Sequence, residues 1–273
     1  MYYTFLDMRK FSLQKLTIAI FYLASCVFNT ANAQDKTIHT NNPPASSREV
    51  VSKHKIMVIP FENRMYLSEI DFQINKESKL TAKQIKATMR DGMNEQLYKK
   101  LKAKMGVVDL MEDTVKTKKD LENIYQYLSF EYQKVPDQNN YKAPVKEKEE
   151  KKIDKGQLNV ESNSDARFMN AKVKNATLVP YLNGKYKTDL FLFINELDIK
   201  ALSGTPGDFS ASTTRKIILH YTVYTLDAKE INSGIAEVNL PVNVNSPAKI
   251  INTYFAQLAD LITARIEKAL LIK

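Results

Sequence analysis

The chain holds one cysteine, no tryptophan, three histidines and only seven glycines in 273 residues. A single thiol builds neither a disulfide scaffold nor a thiolate metal cluster, both of which need several cysteines at set spacings. His39 and His54 lie in a polar stretch far from His220, so the sequence offers no clustered nitrogen donors for zinc. The scattered glycines form no Walker phosphate loop, no dinucleotide fingerprint and no nucleophile elbow. They are also too few for a collagen-like repeat. Together these absences remove disulfide, thiolate-metal, zinc and nucleotide-fingerprint chemistry and leave no cofactor to expect.

What is present suits an ordinary folded chain, with 44% apolar residues and enough length to bury a sizeable core. Arg9, Lys10 and Lys15 precede an apolar run from Leu16 to Phe28, and Ala31-Asn32-Ala33 follows with small residues where a signal peptidase reads. Residues 1–33 therefore read as a signal peptide, cleaved before Gln34. The run is shorter than the roughly 20 residues a membrane-spanning helix needs, so no transmembrane helix is expected in the mature chain. Within it, Leu23-Ala24-Ser25-Cys26 has the form of a bacterial lipobox, and lipidation at Cys26 is the competing outcome. Cleavage before Gln34 leaves a mature protein with no cysteine and a net charge of +7. Export separates that charge from nucleic acid and directs it toward anionic envelope surfaces or acidic envelope proteins.

Residues 34–54, with Pro43-Pro44, read as a flexible tether. KIMVIPFENR, residues 55–64, then opens a single domain over 55–273. Ile56 to Ile59 are apolar on both faces, as in a central strand, and Pro60 ends the ladder. A helix is predicted from Ala82 to Lys104, started by a Thr81/Gln84 capping box and striped by Ile85, Met89, Met93, Leu97 and Leu101. Gly92 inside it suggests close packing against the sheet. A second strand follows at Gly106 to Met111, and a second helix at Lys118 to Phe130. Residues 133–163 carry dense charge of both signs and read as a loosely ordered insertion. Beyond it come a strand at Asp189 to Lys200, a hairpin pairing Lys216–Leu226 with Ile231–Val242, and a final helix begun by Ser246-Pro247. The expected fold class is α/β (α+β), a mixed β-sheet flanked by helices.

Few residues point to chemistry. The basic side of the long helix, with Lys83, Lys86, Arg90, Lys99 and Lys100, reads either as an anion- or partner-binding face or as a solvated lysine surface. Glu62, Glu69 and Asp71 form a loose acidic set without a partner base. His220, between Leu219 and Tyr221 on a predicted strand, reads as a structural imidazole. Ser246 and Lys249 match a penicillin-recognising spacing, but Ser-Asp-Asn and Lys-Thr-Gly are absent from the sequence and a serine before proline is an ordinary helix start.

An opening strand ending in Pro60-Phe61-Glu62-Asn63, a long helix, a second strand, the Asp189–Lys200 strand, a hairpin and a terminal helix together resemble the amino-terminal domain of TolB. The order is equally similar to the periplasmic domain of the curli-secretion lipoprotein (CsgG) family and to the lipoprotein activators of penicillin-binding proteins. Those families often carry an Asp-x-x-x-Gly hairpin turn, where this chain has Asp227-Ala-Lys-Glu-Ile. The resemblance implies a non-catalytic module at the periplasmic side of a Gram-negative-type envelope that docks to other envelope proteins or assembles with copies of itself. Paired membrane-spanning hairpins, which a pore would need, are not evident. The alternative is a periplasmic hydrolase or cell-wall enzyme using acidic residues from distant segments.

Overall fold

Strand β1, Lys55–Ile59, runs through the middle of the sheet, between two parallel neighbours. Its apolar run on both faces follows from that position: Ile56 and Val58 enter one core, Met57 and Ile59 the other, all essentially inaccessible to water. In this computed structural model the described residues are 45–136, 167–202 and 214–272. They belong to one compact unit, Pro43–Lys273. The signal segment with Cys26, His39, the insertion over 137–163 and the loop at 203–207 lie outside them.

The other elements, in chain order, are α1 (Ala45–Ser52), β2 (Tyr66–Ser68), α2 (Asp71–Ser78), α3 (Ala82–Lys102), β3 (Gly106–Asp109), α4 (Thr114–Gln126), β4 (Leu128–Lys134), β5 (Arg167–Val173), α5 (Leu178–Tyr186), β6 (Leu190–Leu202), β7 (Thr214–Thr225) and β8 (Glu230–Leu240). A final helical stretch follows as α6 (Pro247–Lys249), a π-helical segment (Ile250–Phe255) and α7 (Ala256–Leu271). The main sheet has the order β3-β1-β6-β7-β8, with β2 added beside β6. The β1 pairs are parallel and the β6-β7-β8 meander antiparallel, so the sheet is mixed and flanked by helices. β4 and β5 form a separate antiparallel ribbon.

Helix α3 and the terminal helices cover one face. Ile85, Met89, Met93, Leu97 and Leu101 meet Phe255, Leu258, Ile262 and Ile266 over Leu190, Leu192, Leu219 and Tyr221. The capping box is formed, with the Gln84 amide donating to Thr81 Oγ1 and the Thr81 amide to Gln84 Oε1. Gly92 packs against the terminal helix and not the sheet: a Cβ there would lie 2.5 Å from Ile251 Cδ1. On the second face, α4 and α5 pack Leu121, Ile124, Leu178 and Leu182 against Phe191 and Phe193.

Several expectations are corrected. Part of the tether is helical, because Val51 is buried at 3% exposure and anchors α1 to the first core. The second helix starts earlier and stops at Gln126, because Asp113 caps it by accepting from the Lys116 amide. Its expected last turn is the start of β4, which runs on to Lys134 and into the range read as insertion. Elements β2, α2, β5 and α5 are additions to the expected order. Ser246 precedes the terminal helix as foreseen, but its side chain makes no capping hydrogen bond and its carbonyl accepts from the Ile250 amide.

Candidate functional site

The predicted basic face does not survive as one surface. At about 100° per residue, Lys99 lies roughly 160° around the helix from Lys83. Arg90 points inward, donating through Nε to the Phe61 carbonyl (2.7 Å) and through Nη2 to Tyr125 Oη (2.9 Å), while Tyr125 donates to the Pro60 carbonyl. It fastens the turn after β1. Lys99 pairs with Glu95 on its own helix and Lys100 with Asp260 on α7, at 2.8 Å. Lys83 is exposed, and Lys86 sits 6.0 Å from the Tyr66 ring centroid.

The acidic set is equally dispersed. Glu62 takes a two-pronged hydrogen bond from Arg64, Glu69 Oε2 accepts from the Ala201 amide at 2.7 Å, and Asp71 Oδ1 accepts from Tyr66 Oη at 2.7 Å. Glu62 and Asp71 hold local turns, and Glu69 ties the chain after β2 to the end of β6. Glu62 orders the loop after β1 through its carbonyl, which accepts from the Met65 amide, and through Arg64.

Two other groupings emerge. The first lies on the second face of the sheet, beneath β5. A bulge in β6 at Asn195 shifts the register between Ile194 and Glu196. It turns Asn195 and Glu196 to the same side and returns Leu197 and Ile199 to the first core. Glu196, Asp198 and the neighbouring His220 of β7 therefore converge, all buried, with ligand-type atoms within 4.8 Å of one another. Around them the sheet face offers a row of polar side chains to the outer edge of β5. The Met169 amide donates to His220 Nδ1 (2.9 Å) and the Ala171 amide to Thr222 Oγ1 (3.2 Å). Asn195 Nδ2 donates to the Met169 carbonyl (2.8 Å) and Tyr224 Oη to the Ala171 carbonyl (2.9 Å). A strand edge that would otherwise be buried with unmet backbone groups is satisfied by side chains.

That row fixes the chemistry of His220. Because Nδ1 accepts from a backbone amide, the neutral ring carries its proton on Nε2, which faces Glu196 Oε1 at 3.7 Å and Asp198 Oδ2 at 3.8 Å. A protonated Nε2 has no lone pair for a metal, and Lys200 already holds Asp198 Oδ2 at 2.9 Å. The trio has the spacing of a ligand set and the protonation of something else. Burial pushes Glu196 up to about 7, assisted by the adjacent Asp198 charge. Burial lowers His220 to about 4, against the pull of Asp198. The proton thus sits on a carboxyl and the imidazole is neutral. His220 is a structural imidazole on its Nδ1 side, as the sequence suggested.

The second grouping is His54 with Asp189. His54, within the stretch expected to be tether, stands at the start of β1, with its Nδ1 hydrogen-bonded to Asp189 Oδ2. Asp189 Oδ1 also accepts from the Lys55 amide at 2.7 Å, which fixes the carboxylate. The pair borders a cavity of about 550 Å3 whose lining includes Leu190, Leu226, Glu230 and Ile272. An imidazole whose Nδ1 is held by a fixed carboxylate is oriented for proton transfer at Nε2.

A further opening follows the edge of β2. A groove of about 520 Å3 is lined by Tyr66, Leu67, Glu69, Lys86, Ile199 and Lys200, among others. Leu67 is 50% exposed, and Phe72, one residue beyond the Asp71 that holds Tyr66, is 75% exposed. Among the described residues β2 pairs with β6 alone, so its other edge presents unpaired backbone groups.

Sequence reasoning passed over Asp120 as well. This buried carboxylate of α4 accepts from Tyr181 Oη (3.0 Å), Lys185 Nζ (2.6 Å) and Tyr186 Oη, and so locks α4 to α5. Burial would raise its pKa, but these three donors outweigh it and hold the group below the usual carboxylate range.

No protein-family model matches the chain, and no curated protein matches it. Among solved structures it is similar to that of a hypothetical protein from Chlamydia trachomatis, at 9% identity and a TM-score of 0.38, over 81% of this chain and 99% of that one. Among the described residues no helix is long and apolar enough to cross a membrane.

Proposed function

We propose that the chain is an exported envelope protein that acts by binding: a non-catalytic adaptor at the periplasm or the periplasmic face of the outer membrane, serving envelope assembly, secretion or cell-wall synthesis. The observation that carries this reading is the β2 edge. An open strand edge, a groove with Lys86 beside it, and exposed Leu67 and Phe72 are the parts from which strand-addition and hydrophobic docking are built. The leader-like segment over 1–33 and the resemblance to TolB and curli-secretion modules support the compartment. The partner is another envelope protein or a further copy of the chain, with an anionic envelope surface as an additional contact for the basic mature charge.

Photocrosslinking from positions 67 and 72 in intact cells tests it. One discrete protein adduct, lost when Leu67 and Phe72 are both changed to serine, supports the reading, and the absence of any adduct at either position counts against it. The intact mass of the mature chain decides the rest: a start at Gln34 excludes lipidation, and a diacylated Cys26 establishes it.

The hydrolase alternative is favoured by one observation, the His54–Asp189 pair at its cavity. It predicts turnover of an envelope substrate that His54→Ala abolishes without lowering Tm.

A further inference from the structure

We propose that the β4–β5 ribbon is a proton-held flap, closed on the sheet while the Glu196–Asp198 pair retains a proton and loosened when that proton leaves. The ribbon is a two-stranded piece laid on the second face of the sheet without main-chain pairing to it. Its polar attachments are the side-chain contacts to Met169 and Ala171, the hydrogen bond from Thr222 Oγ1 to Asn170 Oδ1 at 2.6 Å, the pairing of Asn170 and Lys172 with Glu230, and Tyr132 Oη beside Glu196 Oε2 at 3.4 Å. Val135 and Phe168 contact Ile235 at one end of the ribbon, and Leu128, Phe130, Ala171 and Val173 join the second core at the other. The ribbon is thus anchored in the apolar core at its Leu128–Val173 end and held by directional polar contacts toward its Tyr132–Met169 end, beside the carboxyl pair.

Two carboxylates side by side in this space cannot both be ionised and stay dry. The donors within reach are Lys200, already on Asp198, the His220 Nε2 proton at 3.7 Å, and Tyr132. Asp198 Oδ1 and His220 Nε2 already lack hydrogen-bond partners among the described residues. A second negative charge needs water, and the opposite face is sealed by α3 and α7, so water enters where the ribbon lies.

The charged groups facing this space from each packed element are few. β4 brings Tyr132, whose hydroxyl burial pushes up, and β6 brings Asp198 and Lys200, the latter also near Glu69. β7 brings His220 and Lys216, which pairs with Glu237 of β8. β5 brings Lys172, which pairs with Glu230. Of these, Glu196 is the group whose charge changes in the neutral range, at about 7.

Hydrogen exchange of the full mature chain reads the flap directly. Protection of the Met169 and Ala171 amides, corrected for the intrinsic pH dependence and compared with β7 amides such as Leu219, should fall about tenfold from pH 6 to pH 8.5. Glu196→Gln, which stays neutral, should abolish the fall. Asp198→Asn removes the neighbouring charge and should move any loosening to lower pH or erase it, a result that a merely structural role would not give. Should Glu196→Gln not fold, Asp198→Asn alone decides: an unmoved midpoint overturns the proposal. So does flat protection in the wild type, or a fall that persists in Glu196→Gln.

Discussion

Removing either Glu196 or His220 should expose a pH dependence of stability that the intact pair conceals. In the unfolded chain between pH 4.5 and 6.5, His220 is protonated and Glu196 ionised. In the fold over the same range the proton is on Glu196, raised to about 7, and His220, lowered to about 4, is neutral. Both states bind one proton, so the pair adds no slope. Taken singly, the signs oppose. The raised glutamate contributes stability that is full below pH 4.5 and lost as pH rises through 7, whereas the lowered histidine contributes stability that is full above 6.5 and lost as pH falls through 4.

Each isolated group is worth up to about 1.4 kcal/mol per pH unit, roughly 3 kcal/mol over its window. Desolvation leads for both, and neither group is among the causes of the other's shift, so deleting one leaves the other in place. Urea unfolding at pH 4.5, 5.5 and 6.5 measures it as the difference between each variant and the wild type. Glu196→Gln should gain stability with rising pH relative to the wild type. His220→Gln, whose amide oxygen can still accept from Met169, should lose it. Two slopes of the same sign, or none, would refute the proton placement.

Two further outcomes follow from packing. Asp120→Asn removes the charge shared by Tyr181, Lys185 and Tyr186 and should cost about 2 kcal/mol at pH 7 in chemical denaturation. Because the folded pKa is depressed, that loss should shrink as pH falls below about 4. Gly92→Ala improves helix propensity by about 1 kcal/mol but drives a Cβ onto Ile251, an overlap of roughly 1 to 3 kcal/mol. Calorimetry should show a lower Tm for Gly92→Ala in the wild-type background and no loss when Ile251 is alanine. A raised Tm in the wild-type background would contradict the close approach.

Much of the frame was legible because it rests on local periodicity. The doubly apolar β1, the capped α3 stripe, the β7–β8 hairpin and the serine-proline helix start each follow from spacing and capping chemistry. The ribbon was not, since β5 has no clear alternation and its outer edge is satisfied from another strand's side chains, a tertiary fact. One signal was available: Glu196, Asp198 and Lys200 alternate with Leu197 and Ile199 along a strand whose first half is apolar on both faces, a pattern that calls for a bulge and a polar space. His54 was misplaced because a polar stretch hides a short helix anchored by the buried Val51, and its partner lies 135 residues away. The lysines looked continuous in sequence, but Lys99 lies on another side of the helix, Arg90 turns inward and α7 takes Lys100.

The binding account stands or falls on whether the β2 edge meets a partner in the cell while the His54–Asp189 pair is dispensable for that contact. Photocrosslinking from position 72 in cells carrying His54→Ala measures both together. The same discrete adduct, at the same yield, is expected as in cells with His54 intact. Loss of that adduct in the His54→Ala cells alone would contradict it and return the cavity at His54 to the centre of the protein's function.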